Sequence, residues 1–275
     1  MKTLEKFQEV ERSIMKRFKK TIWSKFILAL KSYKLVNDGD KIAVCISGGK
    51  DSMLLAVLMK MLKKYSETNF EVYFLSMDPG YNKENRKQLE QNAKLLDIPV
   101  KIFETNIFDS VVEMGGAPCY MCARMRRGHL YNEAKKLGCN KIALGHHFSD
   151  VIETTIMGML YGAQLQGMLP KLHSQNFEGM ELIRPLYCIN EDDIVAWRDA
   201  NELKFLNCAC RFTEACAIDE SVSARKMTKN LIKSLRGKIP EVEHHIFKSL
   251  HNVNVDTFPG YKKDGKYFDF NDWYE

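Results

Sequence analysis

Long apolar runs are missing from this 275-residue sequence. No stretch approaches the roughly 18 consecutive apolar residues that suggest a membrane-spanning helix, and the N-terminal segment is charged from Lys2 onward. Neither a membrane span nor a secretory signal peptide is therefore predicted. The eight cysteines are too sparse for a disulfide scaffold, and no internal repeat or long low-complexity linker is present. We expect a folded cytoplasmic protein with no membrane partner.

The balance of apolar and charged residues is that of an ordinary globular chain. Apolar residues make up 45% of the sequence and charged residues 28%, which is sufficient for one large domain or two small ones. A net charge of +6 favours a polyanionic partner. An excess of lysine also raises solubility, so the charge alone does not identify the partner.

Strand-like and helix-like segments alternate through the first part of the chain. Residues 1–36 carry apolar positions at helical spacing, and "NDGD" then marks a turn. Four β-rich runs follow, each separated from the next by a helix-like stretch. They are 41–46, 70–76, 99–104 and 141–145. The alternation is typical of an α/β fold, a parallel sheet with helices on both faces.

Three regions are predicted along the chain. They are an N-terminal helical segment (1–38), an α/β catalytic domain (39–205) and a C-terminal region (206–275). The C-terminal region begins with a cysteine-rich loop and continues with helices at about 221–236 and about 240–252, followed by an aromatic tail.

A glycine turn joins the first predicted strand to the helix after it. Its sequence, Ser47-Gly48-Gly49-Lys50-Asp51-Ser52, lacks the four-residue spacing of the Walker P-loop. Glycines let backbone N–H groups approach a ligand, the start of a helix presents unpaired N–H groups, and the lysine adds a cation. The turn therefore predicts a phosphate-binding loop. A plain strand–turn–helix junction capped by Ser or Asp is the alternative.

Five of the cysteines fall into two groups. Cys119 and Cys122 form a C-x-x-C pair, and Cys208, Cys210 and Cys216 lie downstream. In a cytoplasmic chain such groups indicate a metal or redox site. Three thiolates suit a [4Fe–4S] cluster with one exposed iron, four suit structural zinc, and a single pair suits redox chemistry. Isolated thiols are the remaining interpretation.

The other three cysteines lie in or beside apolar runs, and they are predicted to be buried packing residues. They are Cys45, Cys139 and Cys188.

Basic residues follow the C-x-x-C pair closely. Arg124, Arg126 and Arg127 would either contact the phosphates of a nucleic acid or form a solvated helix face. Lysines of the N-terminal helices are expected to join such a phosphate-binding surface. They are Lys16, Lys19 and Lys20.

Two histidines follow the fourth predicted strand, at the edge of the sheet where ligands of open α/β folds bind. One of His146 and His147 would orient a phosphate, and capping of the strand end is the alternative.

The order and spacing of the motifs resemble those of the tRNA 2-thiocytidine synthetases of the PP-loop ATP-pyrophosphatase superfamily. The matching stretches are S-G-G-K-D-S, C-x-x-C-A-R-M-R-R-G-x-L-Y, "ALGHHFSDVIET" (143–154), "MLPKL" (168–172) and "LIRPL" (182–186). The resemblance covers about residues 25–255. It implies a Rossmann-like PP-loop fold and an enzyme that adenylates C2 of a cytidine in the tRNA anticodon loop and replaces its oxygen with sulfur.

Cofactors and partners are implied by the same resemblance. The cofactors are ATP, Mg²⁺ and a [4Fe–4S] cluster held by three cysteines. The partners are tRNA and a sulfur donor such as a cysteine desulfurase, with a homodimer as an option. Segment 156–169, which is rich in methionine and leucine, is predicted to be core, with a pocket for the target base as the alternative.

The site residues implied by the resemblance fall into four groups. ATP would bind Ser47, Gly48, Gly49, Lys50, Asp51, Ser52, Gly145 and His146. Catalytic roles would fall to Lys50, Asp51 and Asp150. The cluster would be held by Cys119, Cys122 and Cys210, with Cys208 or Cys216 as alternatives to Cys210, and tRNA would contact Arg124, Arg126 and Arg127.

Ser149-Asp150 departs from the family, which usually has two adjacent acids there, so only Asp150 inherits the acidic role. Two other functions would fit part of this pattern. A different PP-loop tRNA-modifying enzyme, of the uridine thiolase or lysidine synthetase type, would share the glycine turn without this cysteine set. A metal-stabilised RNA-binding module would need the cysteines and the basic face but not the turn.

Overall fold

A computed structural model describes residues 4–105, 118–206, 224–272 and 274, with side chains described from residue 125 in the second range. Two N-terminal helices, α1 (Lys6–Met15) and α2 (Ser24–Tyr33), are joined by a π-helical turn at Lys19–Trp23. The apolar residues on their inner face are fully buried in the same cluster as the central sheet. The N-terminal helices are thus part of the main core.

Six strands form the central sheet, in the order β3-β2-β1-β4-β6-β5. The strands are β1 (Lys41–Cys45), β2 (Glu71–Asp78), β3 (Val100–Glu104), β4 (Lys141–Ala143), β5 (Lys171–His173) and β6 (Glu181–Ile183). All neighbours are parallel except β5, which pairs antiparallel with β6.

Helices and a small hairpin complete the described part of the chain. The helices are α3 (Lys50–Tyr65), α4 (Lys83–Leu95), α5 (Pro118–Lys136), α6 (Phe148–Gly162), α7 (Glu191–Ala200), α8 (Ala224–Arg236) and α9 (Val242–Ser249). The hairpin strands are β7 (Gly260–Lys263) and β8 (Lys266–Asp269), flanked by 3₁₀ turns at Val255–Thr257 and Phe270–Asp272.

The two faces of β1 show why the sheet is covered on both sides. Ile42 and Val44 point into the cluster that contains α3, whereas Ala43 and Cys45 point into the cluster that contains Tyr131 of α5. Side chains alternate across a strand, so a strand that is apolar throughout must be covered on both faces. Helix α3 is itself buried over most of its length, with ten of sixteen residues in the core.

The α/β fold and its four predicted strands are confirmed, and the strand ends differ by at most two residues. The parallel sheet is confirmed for these four strands, and the structure adds β5 and β6 at one edge, where the two strands form an antiparallel pair that was not predicted. Each of these strands has only three residues, too few for a strand pattern to show. The three-region division of the chain remains a prediction.

A buried ion cluster fastens β4 to its surroundings at the amino-terminal edge of the sheet. The side chain of Lys141 is 5% exposed, and its Nζ lies 2.7 Å from Asp40 Oδ2 and 3.4 Å from Glu181 Oε2. The same nitrogen donates to the carbonyl oxygen of Leu35 at 3.0 Å. One ammonium therefore links β4 to β6, to the turn before β1 and to the segment that follows α2.

Replacement of Lys141 should destabilise the fold strongly. In Lys141→Met the carboxylate of Asp40 would stay buried without its cation, and Glu181 would keep only the more distant Lys171. Breaking a buried pair of this kind costs about 3–5 kcal/mol. We expect a loss of this size in urea-induced unfolding. Lys136→Met is the control because its side chain is 72% exposed, and it should change the unfolding free energy by about 0.5 kcal/mol or less. Similar effects of the two variants would contradict the role of the cluster.

Candidate active site

The candidate site lies at the carboxyl ends of β1 and β4. These neighbouring strands are the point from which the sheet extends in opposite directions, because β2 and β3 lie beyond β1 and β6 lies beyond β4. Such a switch point leaves a crevice in which ligands of open α/β sheets bind. The glycine turn after β1 and segment 144–147 after β4 are the two walls of that crevice.

The glycine turn is held in a conformation that requires Gly48. Its φ is +85°, and an added Cβ would lie 2.6 Å from Cδ1 of Leu206. The N–H of Leu206 also donates to the carbonyl oxygen of Gly48 at 3.1 Å. The turn is thus packed directly against the chain that follows α7.

Helix α3 begins at Lys50, with Gly49 at its N-cap and no side-chain cap. Ser52 Oγ instead accepts from Ser47 N–H at 3.1 Å and donates to Gly49 C=O at 2.9 Å, which fixes the turn itself. The N–H groups of the first helical turn have no intrahelical acceptor, and the helix dipole makes this end positive. The alternative of a junction capped by Ser or Asp is therefore wrong, and the geometry suits an anion.

Lys50 stands at the mouth of the crevice between two carboxylates. Its Nζ lies 3.1 Å from Asp51 Oδ2 and 3.1 Å from Glu191 Oε1. Burial by itself lowers the pKa of Lys50, but the two carboxylates outweigh burial and raise it above its ordinary value. The side chain is therefore a permanent cation that is already placed beside the start of α3.

Asp51 and Asp150 supply the carboxylates of the crevice. Asp51 Oδ1 is buried without a hydrogen-bond partner among the described residues, and the nearest ring nitrogen, His147 Nε2, is 3.7 Å away. Asp150 is engaged on both oxygens, since Oδ2 accepts from the N–H of His147 at 2.9 Å and Oδ1 lies 2.5 Å from Nη2 of Arg225.

An unsatisfied carboxylate oxygen in a crevice fits a hard cation such as Mg²⁺. The described residues contain no group of three side chains that could hold a metal ion by themselves. Mg²⁺ usually binds beside nucleotides through one or two carboxylates, and takes its other ligands from phosphate oxygens and water. Asp51 therefore fits Mg²⁺ that arrives with a nucleotide.

The loop after β4 lies so close to the first turn of α3 that position 145 has no room for a side chain without a shift of the backbone. A Cβ on Gly145 would lie 3.1 Å from both the carbonyl carbon of Asp51 and the nitrogen of Ser52. The next residue, His146, has a buried Nδ1 without a partner among the described residues. Burial lowers the pKa of His146 to about 4, with Arg184 and Arg225 acting in the same direction and Asp150 opposing them. The ring is neutral near pH 7.

The second histidine has a structural role. His147 is the N-cap of α6, where its Nδ1 accepts from the N–H of Asp150 at 3.3 Å, and Asp150 bonds back to the N–H of His147. This is a reciprocal capping box. His147 therefore caps the start of α6 rather than the end of the strand, and His146 lines the cavity. A phosphate-orienting role for His146 stays a prediction.

Helix α8 closes one side of the site, which the sequence analysis missed. Arg225 Nε lies 3.1 Å from Glu153 Oε2, in addition to its contact with Asp150. One turn further along, Lys229 forms an ion pair with Glu191 of α7. The sequence predicted a basic helix here without a role, because nothing in its spacing shows which acids lie opposite.

The loop after β2 supplies a further wall, also missed from the sequence. Asp78 Oδ1 accepts from the N–H groups of Gly80 at 2.9 Å and Tyr81 at 2.7 Å, and Arg86 donates to Oδ2 at 2.7 Å. Burial raises the pKa of Asp78, but these hydrogen bonds outweigh it and lower the pKa overall. The ionised carboxylate therefore fixes the loop so that Tyr81 lies on the cavity.

Seven of the predicted site residues surround one cavity of about 360 Å³. Among the predicted residues that line it are Ser47, Asp51, Ser52, Arg126, Gly145, His146 and Asp150. Residues that were not predicted are Cys45, Ile46, Met77, Tyr81, Leu130, Leu144 and Arg225. An adjoining cleft of about 440 Å³ is lined by both Lys50 and Asp51, together with Glu191, Arg225 and Lys229.

Several predicted residues lie outside the described part of the structure. The backbone of α5 includes Cys119, Cys122 and Arg124, whose side chains are not described, and Cys208, Cys210 and Cys216 fall in 207–223. The residues that flank 207–223 do lie at the site. Leu206 packs on the glycine turn, and Arg225 contacts Asp150.

The structure also gives the exposure of the other predicted basic residues and of the three remaining cysteines. Arg127 is exposed on α5, and Lys16, Lys19 and Lys20 are exposed on the N-terminal helices. The burial prediction holds for Cys45 and Cys139, whereas Cys188 is partly exposed. Burial raises the pKa of the Cys45 thiol to about 12, so it stays protonated.

The prediction that segment 156–169 is core is wrong for most of its large side chains. More than half of each is exposed in Met159, Leu160, Tyr161, Leu165 and Leu169. The segment ends α6 and continues into an irregular stretch at the surface, so its methionines and leucines do not mark the inner face of a helix. No helix in the described ranges has the length and apolar character needed to cross a membrane.

Comparison with known proteins agrees with this geometry. A profile of the PP-loop domain matches residues 11–214. The tRNA-cytidine(32) 2-sulfurtransferase of Neisseria meningitidis serogroup C (strain 053442) is 32% identical over 248 residues, which cover 88% of this chain and 73% of the relative. The enzyme of the same name from Aliivibrio fischeri (strain MJ11) is 34% identical, with 88% and 76% covered.

A solved structure shows the same fold. The U34-tRNA thiolase NcsA from Methanococcus maripaludis, described with its [4Fe-4S] cluster, has a TM-score of 0.65 at 20% identity, covering 83% of this chain and 77% of that one. The fold and the site define a PP-loop protein. Within that class, the chain belongs to the tRNA-cytidine(32) 2-sulfurtransferase family.

The close approach at Gly145 gives a prediction. In Gly145→Ala the new methyl group would press on the backbone of Asp51 and Ser52, so the first turn of α3 must shift. We expect the affinity for α,β-methylene ATP to fall by about tenfold, or about 1.4 kcal/mol, in isothermal titration. Gly162→Ala, with no neighbour within 4 Å of the new Cβ, should bind as wild type. Unchanged affinity in a folded Gly145→Ala protein would contradict the assigned wall.

Proposed function

We propose that this protein is an ATP-dependent tRNA sulfurtransferase that replaces the C2 oxygen of a cytidine in tRNA with sulfur. The observation that carries the proposal is the convergence, at a cavity and its adjoining cleft, of the glycine turn, a partly buried lysine and two carboxylates. The relatives at 32–34% identity are named for this reaction. The protein is accordingly an enzyme, with ATP as co-substrate and tRNA as substrate.

The reaction needs the cytidine oxygen to become a leaving group. In the first step that oxygen attacks the α-phosphorus of ATP, and pyrophosphate leaves. In the second step a sulfur nucleophile adds at C2, and the oxygen departs with AMP. Atoms balance when the sulfur enters as a hydrosulfide equivalent, and neither step requires an oxidant.

Lys50 and the first turn of α3 serve the first step. Negative charge grows on the bridging oxygen and on the leaving pyrophosphate, and the N–H groups at Gly49–Ser52 already point to that region. Preorganised donors of this kind can lower the activation free energy by several kcal/mol. Lys50 is suited to the same task because its ammonium is held ionised in place.

Asp51 would hold Mg²⁺ through its free Oδ1, with Asp150 close enough on the same cavity to assist. The metal ion, when bound, supplies charge neutralisation for the phosphates. His146 is neutral, so its buried Nδ1 can exchange a hydrogen bond with the nucleotide or the base without adding charge. These roles are all assigned to chain atoms that line the described cavity.

The apolar part of the cavity suits the uncharged part of a ligand. Met77, Leu130 and Leu144 line the same space as Ser47 and Ser52, so the cavity offers both apolar and polar contacts. A purine or a pyrimidine ring suits the apolar side chains, whereas phosphates suit the glycine turn. Arg225 lines the same cavity and forms an ion pair with Asp150.

A [4Fe–4S] cluster is the second cofactor, and the donor set fits it. Cys119 and Cys122 are three residues apart in helix α5, a spacing that places two residues on one helix face. Thiolates are the ligands that such clusters require. The third ligand is proposed to be Cys210. When bound, the cluster supplies the site from which sulfur reaches the activated base.

The surface proposed to bind tRNA contains Arg124, Arg126 and Arg127 on α5, and lysines of the N-terminal helices. Arg126 lines the cavity and Arg127 is exposed beside it. Guanidinium groups contact phosphates without reading bases, so this surface would hold the backbone of the anticodon loop while the target base enters. A sulfur donor, a homodimer and a cytoplasmic location are parts of the same proposal.

Loss of Lys50 should abolish the first step while leaving the fold intact. In Lys50→Ala we expect no thiolation of a tRNA transcript above background and at least a hundredfold slower release of pyrophosphate, because a preorganised charge on the leaving group is lost. Lys64→Ala, at the exposed end of the same helix, is the matched control and should retain full activity. Pyrophosphate release at the wild-type rate in Lys50→Ala would refute the assignment.

The cysteine assignment is tested by anaerobic purification. Cys119→Ala and Cys122→Ala should each lose the broad visible absorbance and the bound iron, and of Cys208, Cys210 and Cys216 only Cys210 should behave in the same way. Cys188→Ala, which removes a free cysteine outside both groups in the sequence, should retain its iron. Retained iron in Cys210→Ala would move the third ligand to Cys208 or Cys216, and zinc in place of iron would refute the cluster.

A further inference from the structure

Glu191 lies between two lysines that come from different parts of the chain. It is in the first turn of α7, its side chain is 20% exposed, and its two oxygens are used separately. Oε1 is 3.1 Å from Lys50 of α3, and Oε2 forms an ion pair with Lys229 of α8. Burial acts to raise the pKa of Glu191, but the two lysines outweigh it and lower the pKa to about 2. The carboxylate is ionised under all working conditions.

The position of Lys50 creates a conflict when a nucleotide binds. The ammonium is a single point charge on a flexible stem, and in the ligand-free site it is shared between Asp51 and Glu191. A phosphate at the first turn of α3 must draw Lys50 away from at least one of these carboxylates. Glu191 is the partner that can release it, because Lys229 stays beside Glu191 and balances its charge.

We propose that Glu191 is a positioning residue that competes with the pyrophosphate part of the ligand for Lys50, and thereby promotes release of pyrophosphate after the first step. The proposal rests on the proposed function of the site. Phosphate captures Lys50 when ATP binds, and Glu191 recaptures Lys50 when pyrophosphate is free to leave. Lys229 sets the strength of this competition because it takes up part of the charge of Glu191.

The arrangement predicts that substitutions at Glu191 and Lys229, two members of one ion cluster, change the affinity for pyrophosphate in opposite directions. Glu191→Gln removes the competitor, so inorganic pyrophosphate should bind more tightly. Lys229→Met leaves Glu191 with Lys50 as its one described cation, so pyrophosphate should bind more weakly. A purely structural ion cluster would weaken binding in both variants.

Pyrophosphate and α,β-methylene ATP are the probes, titrated into wild type and variants at fixed Mg²⁺. We expect the Kd of pyrophosphate to fall about three- to tenfold in Glu191→Gln and to rise by a similar factor in Lys229→Met, the size expected for partly buried ion pairs. Asp192→Asn is the control, because Asp192 is the next residue after Glu191 but pairs with Arg236, which does not line the cleft that contains Lys50. In steady state, Glu191→Gln should lower both kcat and the KM for ATP.

Removing the charge of Glu191 or Lys229 could also change the Kd of pyrophosphate directly through space, with the same opposite signs. The experiment must therefore show that the change in affinity depends on Lys50. Acetylation of Lys50 in the ligand-free protein, followed by mass spectrometry, reports how firmly its ammonium is held. It should be faster than wild type in Glu191→Gln and slower in Lys229→Met. In a Lys50→Met background, Glu191→Gln should no longer tighten pyrophosphate binding.

Four results would overturn the proposal. They are unchanged Kd values in both variants, shifts of the same sign in both, unchanged acetylation of Lys50, and a persistent effect of Glu191→Gln without Lys50. If wild type binds neither pyrophosphate nor the ATP analogue, the proposed function fails instead. The two failures are therefore distinguishable.

Discussion

The parallel pairing of β1 with β4 is the constraint on which the site depends. The register places Ile42 beside Lys141 and Val44 beside Ala143, so both strands end at the same level. The turn after β1 and the loop after β4 must then share one space, and glycine at position 145 lets their backbones approach to within contact. Segments that are almost a hundred residues apart become two sides of one crevice. The buried Lys141 fastens this pairing at the opposite edge of the sheet.

Charge at the site is balanced internally before any ligand arrives. Carboxylates and cations alternate across the cleft, with Asp51, Asp150 and Glu191 opposed to Lys50, Arg225 and Lys229. Lys50, the most buried of the three cations, is thus positioned without being left unpaired, which would be costly. A polyanionic ligand exchanges one set of negative partners for another, and little of the protein has to move.

Sequence patterns predicted the parts of the structure that depend on local chemistry. The β-branched runs predicted β1 to β4, and the hexapeptide predicted the turn that joins β1 to α3. Contacts between distant residues were beyond that reasoning. Arg225 reaches Asp150 across 75 positions, and Glu191 joins α3 to α8, so neither carries a local signal. Segment 156–169 was misread because apolar composition alone does not distinguish a core helix from an exposed apolar surface.

The two flanks of segment 207–223 are both attached to the crevice, one through Leu206 on Gly48 and the other through Arg225 on Asp150. Two contacts at one crevice close a loop in the chain, and the entropy of closing that loop is lost once, when the protein folds. Ligand binding at the crevice therefore does not have to supply the cost of bringing Leu206 to the glycine turn or Arg225 to Asp150.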